Sequence, residues 1–312
     1  MKKLEFGYVK RSRNAMMIER LEIRNWRRDY LRQIRRYRAA GKRIYYLDET
    51  WITAGQTTSR KWVDLTIKTA AEALRRGLSY GFKAASSTGE RVIIIHIGSD
   101  DGFVDRGLYT LHSSRGADYH DDMNHTFFEE WLLSILPELE HDSVIVLDNA
   151  SYHSQKKDKI PNTSWNKPEI VNWLHGKGEA ADLSLLKAEL LTRARNLQVQ
   201  TTYVVDEIIE NSERHVLRTP PYHCTLNPIE MVWAIVKGYV SANNKTFKLA
   251  DAKQLLLEGI SRVTPVMWRN CVKHVVDIVE AEMWQLDDLI ENQIDVEPFI
   301  INFGDSNSDD DE

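Results

Sequence analysis

The sequence predicts an α/β protein in which helices cover a sheet of buried strands. Two apolar, β-branched runs, "VIIIHI" at residues 92–97 and "VIVL" at residues 144–147, are typical of buried strands. Between them, "HTFFEEWLLSIL" repeats apolar residues every three or four positions, which is typical of a helix that ends near Pro137. Strands that alternate with helices along a chain favour a layered α/β architecture.

Residues 20–40 predict a basic amphipathic helix ahead of the first strand. Its apolar stripe, with spacings of three and four, contains Ile23, Trp26, Tyr30, Ile34 and Tyr37. The stripe is expected to face the core, which leaves the arginines between its members free to contact phosphates. Arg24 and Arg32 are among them, and the candidate DNA contacts are Arg27, Arg28, Arg35 and Arg36. Residues 1–43 hold 15 Lys and Arg against 4 Asp and Glu, although the whole chain has a net charge of −5. Such a segment indicates a polyanion partner, and a solvated basic helix face explains it equally well.

The composition excludes several classes of protein. Its 42% hydrophobic and 28% charged residues are typical of a soluble globular protein. No apolar run approaches 18 residues, and the charged first residues lack the apolar stretch of a secretory signal. The two cysteines show neither zinc-site spacing nor a disulfide framework, and the glycine motif of a dinucleotide-binding domain is missing.

Two aspartates follow apolar runs that predict strands. "RIYYLDETW" predicts a short strand that ends at Asp48, and "DSVIVLDNASYH" predicts one that ends at Asp148. "FVDRGLYTL" predicts a further, weaker strand between them. Ligands bind at the ends of core strands in open α/β sheets, so both aspartates are candidate site residues. Each aspartate could instead cap the turn that follows its strand.

Residues 218–238, "RTPPYHCTLNPIEMVWAIVKG", predict a loop followed by the start of a helix. Asn227 is expected to be the N-cap, Pro228 the first helical residue and Glu230 the acid of a capping box. Glu230 could also join Asp48 and Asp148 in one site. Unit charges about 4 Å apart repel by ~4 kcal/mol at an effective dielectric near 20, so three carboxylates would need protons or a hard cation. Mg2+ prefers oxygen-only ligation, and two such ions promote phosphodiester cleavage.

Three blocks resemble the signature blocks of the DDE transposases of the mariner superfamily. They are "YYLDETW", "VIVLDNASYH" and "PPYHCTLNPIEMVWAIVK", in that order, and the resemblance spans residues 20 to 285 or so. It implies a ribonuclease H-like fold, a mixed sheet flanked by helices. It also implies that Asp48, Asp148 and Glu230 are catalytic and hold two Mg2+ or Mn2+ ions for DNA strand cleavage and strand transfer. The alternative is a catalytically silent, host-domesticated DNA- or protein-binding derivative.

The same blocks supply further candidate residues. Asn149 and His153 in the second block, and His223 and Asn227 in the third, are expected to support the metal ligands. A histidine that donates to a loop carbonyl is an equally good explanation of His153 and His223. Lys237, seven residues after Glu230 and on nearly the same helix face, is a candidate phosphate contact; an exposed lysine is the alternative. The expected partners are DNA, as transposon ends and target, and a second copy of the chain. Neither a membrane nor a small-molecule cofactor is expected, and the location is nuclear in a eukaryote and cytoplasmic otherwise.

The sequence departs from the mariner pattern in two places. Glu230 follows Asp148 by 82 residues, more than twice the usual spacing, which predicts a helical insertion at about 158–212. Two amphipathic helices are expected there, with apolar positions Ile170, Trp173, Leu174, Leu183, Leu186, Leu190 and Leu191. The insertion could cover DNA or a partner subunit, or be an ordinary packing unit. Helix-turn-helix modules are not evident before the first block. The expected division is a basic helical arm at 1–42, a catalytic domain at 43–290 and an acidic disordered tail at 291–312.

Overall fold

A computed structural model describes residues 17–18, 20–58, 90–113, 124–197 and 202–294, together with residues 66, 69, 72, 75 and 76. Most of the predicted acidic tail, from residue 295 onwards, lies outside the described residues. The strands are β1 (Ile44–Thr53), β2 (Arg91–Ser99), β3 (Gly102–Phe103), β4 (Tyr109–Ser113), β5 (Val144–Leu147) and β6 (His215–Arg218).

Nine α-helices are described in these parts of the chain. They are α1 (Leu21–Ala39), α2 (His125–Ile135), α3 (Lys167–Gly176), α4 (Lys187–Asn196), α5 (Val204–Asn211), α6 (Ile229–Asn243), α7 (Leu249–Ser261), α8 (Pro265–His274) and α9 (Ala281–Ile294). A π-helical segment, Val275–Glu280, joins α8 to α9. None of the helices described is both long and apolar enough to span a membrane.

The six strands form one mixed sheet with the order β3–β2–β1–β5–β6, and β4 also pairs with β2. β1 pairs antiparallel with β2, which in turn pairs antiparallel with β3 and β4. β5 is parallel to β1, and β6 is parallel to β5. The antiparallel strands β1 to β4 beside the parallel strands β5 and β6, with helices on both faces, are the ribonuclease H-like arrangement, so the predicted fold class is confirmed. The weak strand predicted after residue 102 is two short strands, β3 and β4.

Alternate residues of β1 point to two separate cores. Tyr46 and Ile52 lie in the core beneath α1, α6, α7 and α8, whereas Tyr45 and Leu47 lie in the core beneath α2 and α5. The first core approaches the sheet so closely that a Cβ at Gly98 would lie 2.4 Å from the Trp268 ring. Both faces of the sheet are therefore buried, which agrees with the continuous apolar runs in the sequence.

The buried face of α1 is rotated from the predicted stripe. Tyr30, Leu31 and Ile34 are almost fully buried in the core beneath α1, but Trp26 is 37% exposed. Arg27, which the helical spacing placed on the outer face, is only 1% exposed because it pairs with Asp287 of α9. The prediction that Arg27 contacts DNA phosphates is therefore wrong.

Helices α3 and α4 form a unit with a core of their own. This core contains Ile170, Val171, Leu174, Leu190, Leu191 and Ala194, so the two predicted amphipathic helices are present. Leu183 and Leu186, predicted to be apolar-face positions, precede α4 and are 55% and 67% exposed. Helix α5 does not belong to this unit, because its Val205 and Ile209 pack in the core beneath α2.

The α3–α4 unit contains an internal repeat with an offset of 20 residues. Lys167 Nζ donates to the Leu183 carbonyl at 2.7 Å, and Lys187 Nζ donates to the Thr163 carbonyl at 2.9 Å. The first-turn acids also match, since Glu169 accepts from the Asn166 amide and Glu189 accepts from the Leu186 amide. The two halves therefore bind each other reciprocally, as in a two-fold arrangement.

Candidate active site

Asp48 lies within β1, not at its end. The strand continues to Thr53, because residues 49–53 pair with residues 91–95 of β2. The prediction that the strand ends at Asp48 is therefore wrong, yet Asp48 still lies level with the end of β5. Tyr46 pairs with Val146 in the parallel register, so Asp48 and Asp148 each lie two residues beyond this paired position.

Asp148 directly follows β5 and begins a compact turn. Its Oδ1 accepts hydrogen bonds from the Ala150 amide at 2.9 Å and from His153 Nδ1 at 2.7 Å. Burial alone would raise the pKa of Asp148, but the hydrogen bond and charge of His153 outweigh it and lower this pKa below its usual value. Asn149 Nδ2 donates to the Thr219 carbonyl at 2.7 Å and fastens the turn to the residue after β6.

His153 bridges two carboxylates in the interior. Its Nε2 lies 3.0 Å from Glu49 Oε1, and its side chain is fully buried. Since carboxylates accept hydrogen bonds, both ring nitrogens carry protons and the imidazole is cationic. Burial would lower the pKa of His153, but Glu49 and Asp148 raise it to about 9. Of the two explanations of His153, the structure shows the one in which it supports a candidate ligand.

Asn227 places the start of α6 beside β1. Its Nδ2 donates to the Leu47 carbonyl at 3.0 Å, next to Asp48. The predicted capping box is not formed. The helix begins at Ile229, Asn227 Oδ1 accepts from the Ile229 amide at 3.4 Å, and the Asn227 amide is bonded to the Cys224 carbonyl. The exposed Glu230 carboxylate is thus not needed as a cap, and the tie to β1 sets its position.

The three acids are electrostatic neighbours. Burial and the negative charges of Glu230, Glu49 and Asp148 raise the pKa of Asp48 well above its usual range. Desolvation by the surrounding protein and the charge of Asp148 raise the pKa of Glu230, although part of this residue reaches solvent, and Lys237 partly offsets the rise. Burial lowers the pKa of Lys237, although Glu230 and Asp48 oppose that shift. The site therefore carries excess negative charge that a cation would relieve.

The three carboxylates are chemically suitable ligands for divalent ions, although in this structure they are not gathered around a single point. Among the residues described, no three His, Cys, Asp or Glu side chains are close enough to form a metal-binding cluster. Asp148 Oδ1 is bonded to His153, and Glu230 is an exposed residue. The effect of one charge on the pKa of a neighbour extends further than metal–ligand distances, so the absence of a cluster among the described residues agrees with the raised pKa of Asp48. Carboxylate oxygens are the ligands that Mg2+ and Mn2+ prefer.

Two described contacts of His223 join the loop before α6 to α1. Its Nε2 is 3.1 Å from Arg27 Nη1, and its Nδ1 is 2.8 Å from the Pro221 carbonyl. Because a guanidinium only donates, Nε2 is the acceptor and Nδ1 carries the proton. Through these two contacts His223 holds the loop before α6 against α1. The explanation of His223 as a histidine that donates to a loop carbonyl is what the structure shows.

The remaining candidate phosphate contacts have different surroundings. Arg36 is exposed, and Arg28 is half-buried. The Arg35 guanidinium lies 4.0 Å from the centre of the Trp284 ring of α9. Lys237 Nζ lies 5.2 Å from the centre of the Trp51 ring, close to the acids that affect its pKa. Lys237 is thus the predicted cation closest to the candidate site.

Sequence reasoning missed two residues at the site, Glu49 and Arg218. Glu49 follows Asp48 in the strand and faces the opposite core, where it is 8% exposed. The one feature of the sequence that could have indicated Glu49 is a second acid, next to Asp48, in a largely apolar strand. Arg218, 9% exposed, ends β6 and donates to the carbonyls of Asp148 and His153. A strand of four residues with few apolar side chains gave no sequence signal.

The mixed sheet and the position of the acids define a protein of the ribonuclease H-like class. Solved structures of Mos1 transposase resemble it. They include its paired-end complex with left transposon end (TM-score 0.54, 13% identity, 91% of this chain and 67% of that chain). A pre-cleavage Mos1 transpososome gives a TM-score of 0.55 at 13% identity, and the Mos1 strand transfer complex gives 0.54 at 14%.

These likenesses establish the fold. The match to the strand transfer complex covers 91% of this chain and 66% of the Mos1 chain. This chain therefore spans about two thirds of the length of that transposase chain. No protein-family model matches the sequence. No curated protein matches it either.

Proposed function

We propose that the protein is the catalytic part of a DNA transposase that cleaves DNA strands and transfers them. The observation that carries the proposal is the convergence of Asp48, Asp148 and Glu230 from β1, the end of β5 and the start of α6. Asp48 and Asp148 lie level in neighbouring strands, and the charges of Asp148 and Glu230 both raise the pKa of Asp48. Acids from distant segments can raise the pKa of Asp48 only where the fold has brought them close to it. Such an arrangement costs stability, and divalent ions would offset that cost.

The residues have distinct roles in this proposal. Asp48, Asp148 and Glu230 would hold two Mg2+ or Mn2+ ions, which supply an activated water and stabilise the leaving oxygen in phosphodiester chemistry. Cationic His153, held by Glu49, fixes Asp148 Oδ1 and leaves the rest of the carboxylate available. Asn227 fixes Glu230 relative to Asp48. Lys237 would bind a DNA phosphate next to the acids.

The fold comparison supports DNA and divalent metal as partners. The similar Mos1 structures include complexes with transposon ends, one with Mn and one with Mg. By this analogy the DNA partners are transposon ends and target, a second copy of the chain completes the assembly, and a eukaryotic host would place the protein in the nucleus. Residues 43–290 would form the catalytic domain, residues 1–42 a basic helical segment and residues 291–312 an acidic tail.

A nicking assay on supercoiled plasmid tests the function. Wild-type protein should nick the plasmid with Mn2+ or Mg2+ and not with chelator. Asp48→Asn, Asp148→Asn and Glu230→Gln should each reduce nicking at least 100-fold or so. Asp105→Asn, an exposed aspartate near β3, is the control and should nick normally.

The pattern of results separates the candidate functions. A wild-type chain that binds DNA tightly but never nicks it, with either metal, would identify a silent DNA-binding derivative. Nicking that persists in Asp48→Asn at the wild-type rate would place the active site elsewhere.

A further inference from the structure

Arg218 touches the turn that carries Asp148 at three points. Its Nη2 donates to the His153 carbonyl at 2.7 Å, and its Nη1 donates to the Asp148 carbonyl at 3.2 Å. Nη1 also lies 3.3 Å from Ser154 Oγ. The guanidinium therefore contacts both ends of the turn, Asp148 at its start and His153 and Ser154 at its end. Only 9% of Arg218 is exposed, so these bonds form away from bulk water.

The other side of the same guanidinium is held by the first turn of α5. Asp206 accepts from Nε at 3.0 Å and from Nη2 at 2.7 Å, and the two side chains are 21% and 8% exposed. The Tyr203 ring covers the guanidinium with its centre 4.3 Å from Cζ. A planar group held by a carboxylate and an aromatic face has little freedom to rotate.

Tyr203 and Asp206 lie on the segment of the chain that follows the α3–α4 unit. The base of that unit is closed by two backbone hydrogen bonds, Lys157 amide to Thr202 carbonyl and Val204 amide to Gln155 carbonyl, both 3.0 Å long. The segment that returns from the unit is thereby fastened beside the segment that leaves the Asp148 turn. Arg218 connects this closed base to the turn itself.

We propose that Arg218 is a positioning residue for Asp148, and that Asp206 and Tyr203 hold its guanidinium in the orientation that fixes the turn of residues 148–154. The proposal deepens the proposed function and rests on it. Arg218 does not touch the reacting atoms in this scheme. It keeps the Asp148 main chain in place, while His153 orients the carboxylate.

Arg214 provides a matched control on the same segment. It directly precedes β6, is 6% exposed, and donates to the carbonyls of Ser212 and Leu139 at 2.6 Å each. It thus resembles Arg218 in burial and in its bonds to backbone carbonyls. Because it lies at the opposite end of β6, it is remote from the Asp148 turn.

The test compares Arg218→Gln, Arg218→Lys and Arg214→Gln in the full-length chain. Mn2+ affinity is measured by electron paramagnetic resonance without DNA, DNA affinity in chelator, and melting temperature by circular dichroism. Hydrogen exchange of the peptide covering residues 148–155 reports on the turn without any metal. Nicking with Mn2+ is recorded last.

We expect Arg218→Gln to weaken Mn2+ binding by a factor of ~10 to 100, the usual effect of losing a group that orients a metal ligand. It should speed hydrogen exchange in residues 148–155 and leave DNA affinity unchanged. Arg218→Lys should not restore Mn2+ affinity, because one ammonium cannot replace the planar fork. Arg214→Gln should lower the melting temperature by a similar amount and keep the wild-type Mn2+ affinity.

The proposal would be overturned if Arg218→Gln bound Mn2+ as tightly as wild type and showed the same hydrogen exchange in residues 148–155. Equal loss of Mn2+ affinity in Arg214→Gln would also overturn it, because the effect would then follow overall stability. Failure of the proposed function looks different: the wild-type chain would bind Mn2+ and show the expected difference between variants, yet leave DNA uncut.

Discussion

Arg27 on α1 and Asp287 on α9 form a buried ion pair across 260 residues of sequence. Arg27 Nε lies 3.0 Å from Asp287 Oδ2, Nη2 donates to Oδ1, and Nη1 bonds to His223 in the loop before α6. The side chains are 1% and 7% exposed. One guanidinium therefore joins the first described helix, the last one and the loop that leads to Glu230.

Removing one partner of this pair should strongly destabilise the protein. Arg27→Ala leaves the Asp287 carboxylate buried without a partner, which we expect to cost about 3–5 kcal/mol. Arg36→Ala, on the exposed side of the same helix, should change stability by less than about 0.5 kcal/mol. Urea denaturation measures both values. A small loss in Arg27→Ala would show that solvent or another side chain compensates Asp287.

DNA binding should depend on the exposed arginines of α1 and not on Arg27. Arg36→Ala should lower affinity to a similar extent for unrelated DNA sequences, and reduce the slope of log K against log salt by about 1. Fluorescence anisotropy at several salt concentrations gives both quantities. Tight binding to a single sequence that is insensitive to salt would contradict phosphate-dominated binding.

Removing the charge of Asp48 should stabilise the protein when metal is absent. Burial and three neighbouring acids raise the pKa of Asp48, so its charged form opposes folding. We expect Asp48→Asn to melt at a higher temperature than wild type in chelator, although it should not nick DNA. Asp105→Asn should melt like wild type. A lower melting temperature for Asp48→Asn would show that the carboxylate is a net stabilising group.

Glu230 and Asn227 should respond differently to substitution. Asn227→Ala removes the bond to the Leu47 carbonyl and should cost about 1–3 kcal/mol, with only part of the nicking activity lost. Glu230→Gln should keep the fold and lose nearly all nicking, because a metal ligand loses its charge. Melting temperature and Mn2+-dependent nicking distinguish the two variants. Normal nicking by Glu230→Gln would remove Glu230 from the active site.

Acid should destabilise the protein partly through His96. Burial lowers the pKa of His96 to about 3, while its Nδ1 accepts a bond from the Ile97 amide and its ring stacks on Phe103. Between pH 3 and about 6.5 the unfolded state binds the proton and the folded state does not. The free energy of unfolding should therefore fall as pH falls through this window, by at most about 1.4 kcal/mol per pH unit from this group.

The asparagine variant isolates that contribution. His96→Asn keeps an acceptor near Nδ1 and cannot titrate, so its free energy of unfolding should change less between pH 6.5 and 4 than that of wild type. Urea denaturation at several pH values measures the difference. Parallel pH profiles would show that the folded protein accommodates a charged His96.

The sequence was informative where local pattern decides structure. The apolar runs of β2 and β5 and the periodicity of α2 predicted those elements, since burial on both faces of a sheet leaves a continuous apolar run. β6 escaped prediction because four residues with a histidine and an arginine carry no such run. Helical spacing also misplaced Arg27, because only its partner 260 residues away makes an inward-facing arginine stable.

The candidate site shows the same division. Asp48, Asp148 and Glu230 could be selected because each lies in a recognisable block, and the fold makes them electrostatic neighbours. The contacts of Glu49 and Arg218 depend on which strand neighbours which. The order of strands in the sheet cannot be derived from the spacing of residues in the sequence. The contacts of Glu49 and Arg218 were therefore identified only from the structure.

The closed base of the α3–α4 unit has a consequence for how such a protein could change during evolution. The chain leaves and returns between Lys157 and Thr202, whose backbones are already hydrogen-bonded neighbours. A segment of any length whose ends meet there costs little additional loop-closure entropy, because that cost grows only with the logarithm of length. A lineage could therefore gain, duplicate or lose such a unit, as its 20-residue internal repeat suggests, while the turn that carries Asp148 stays in place.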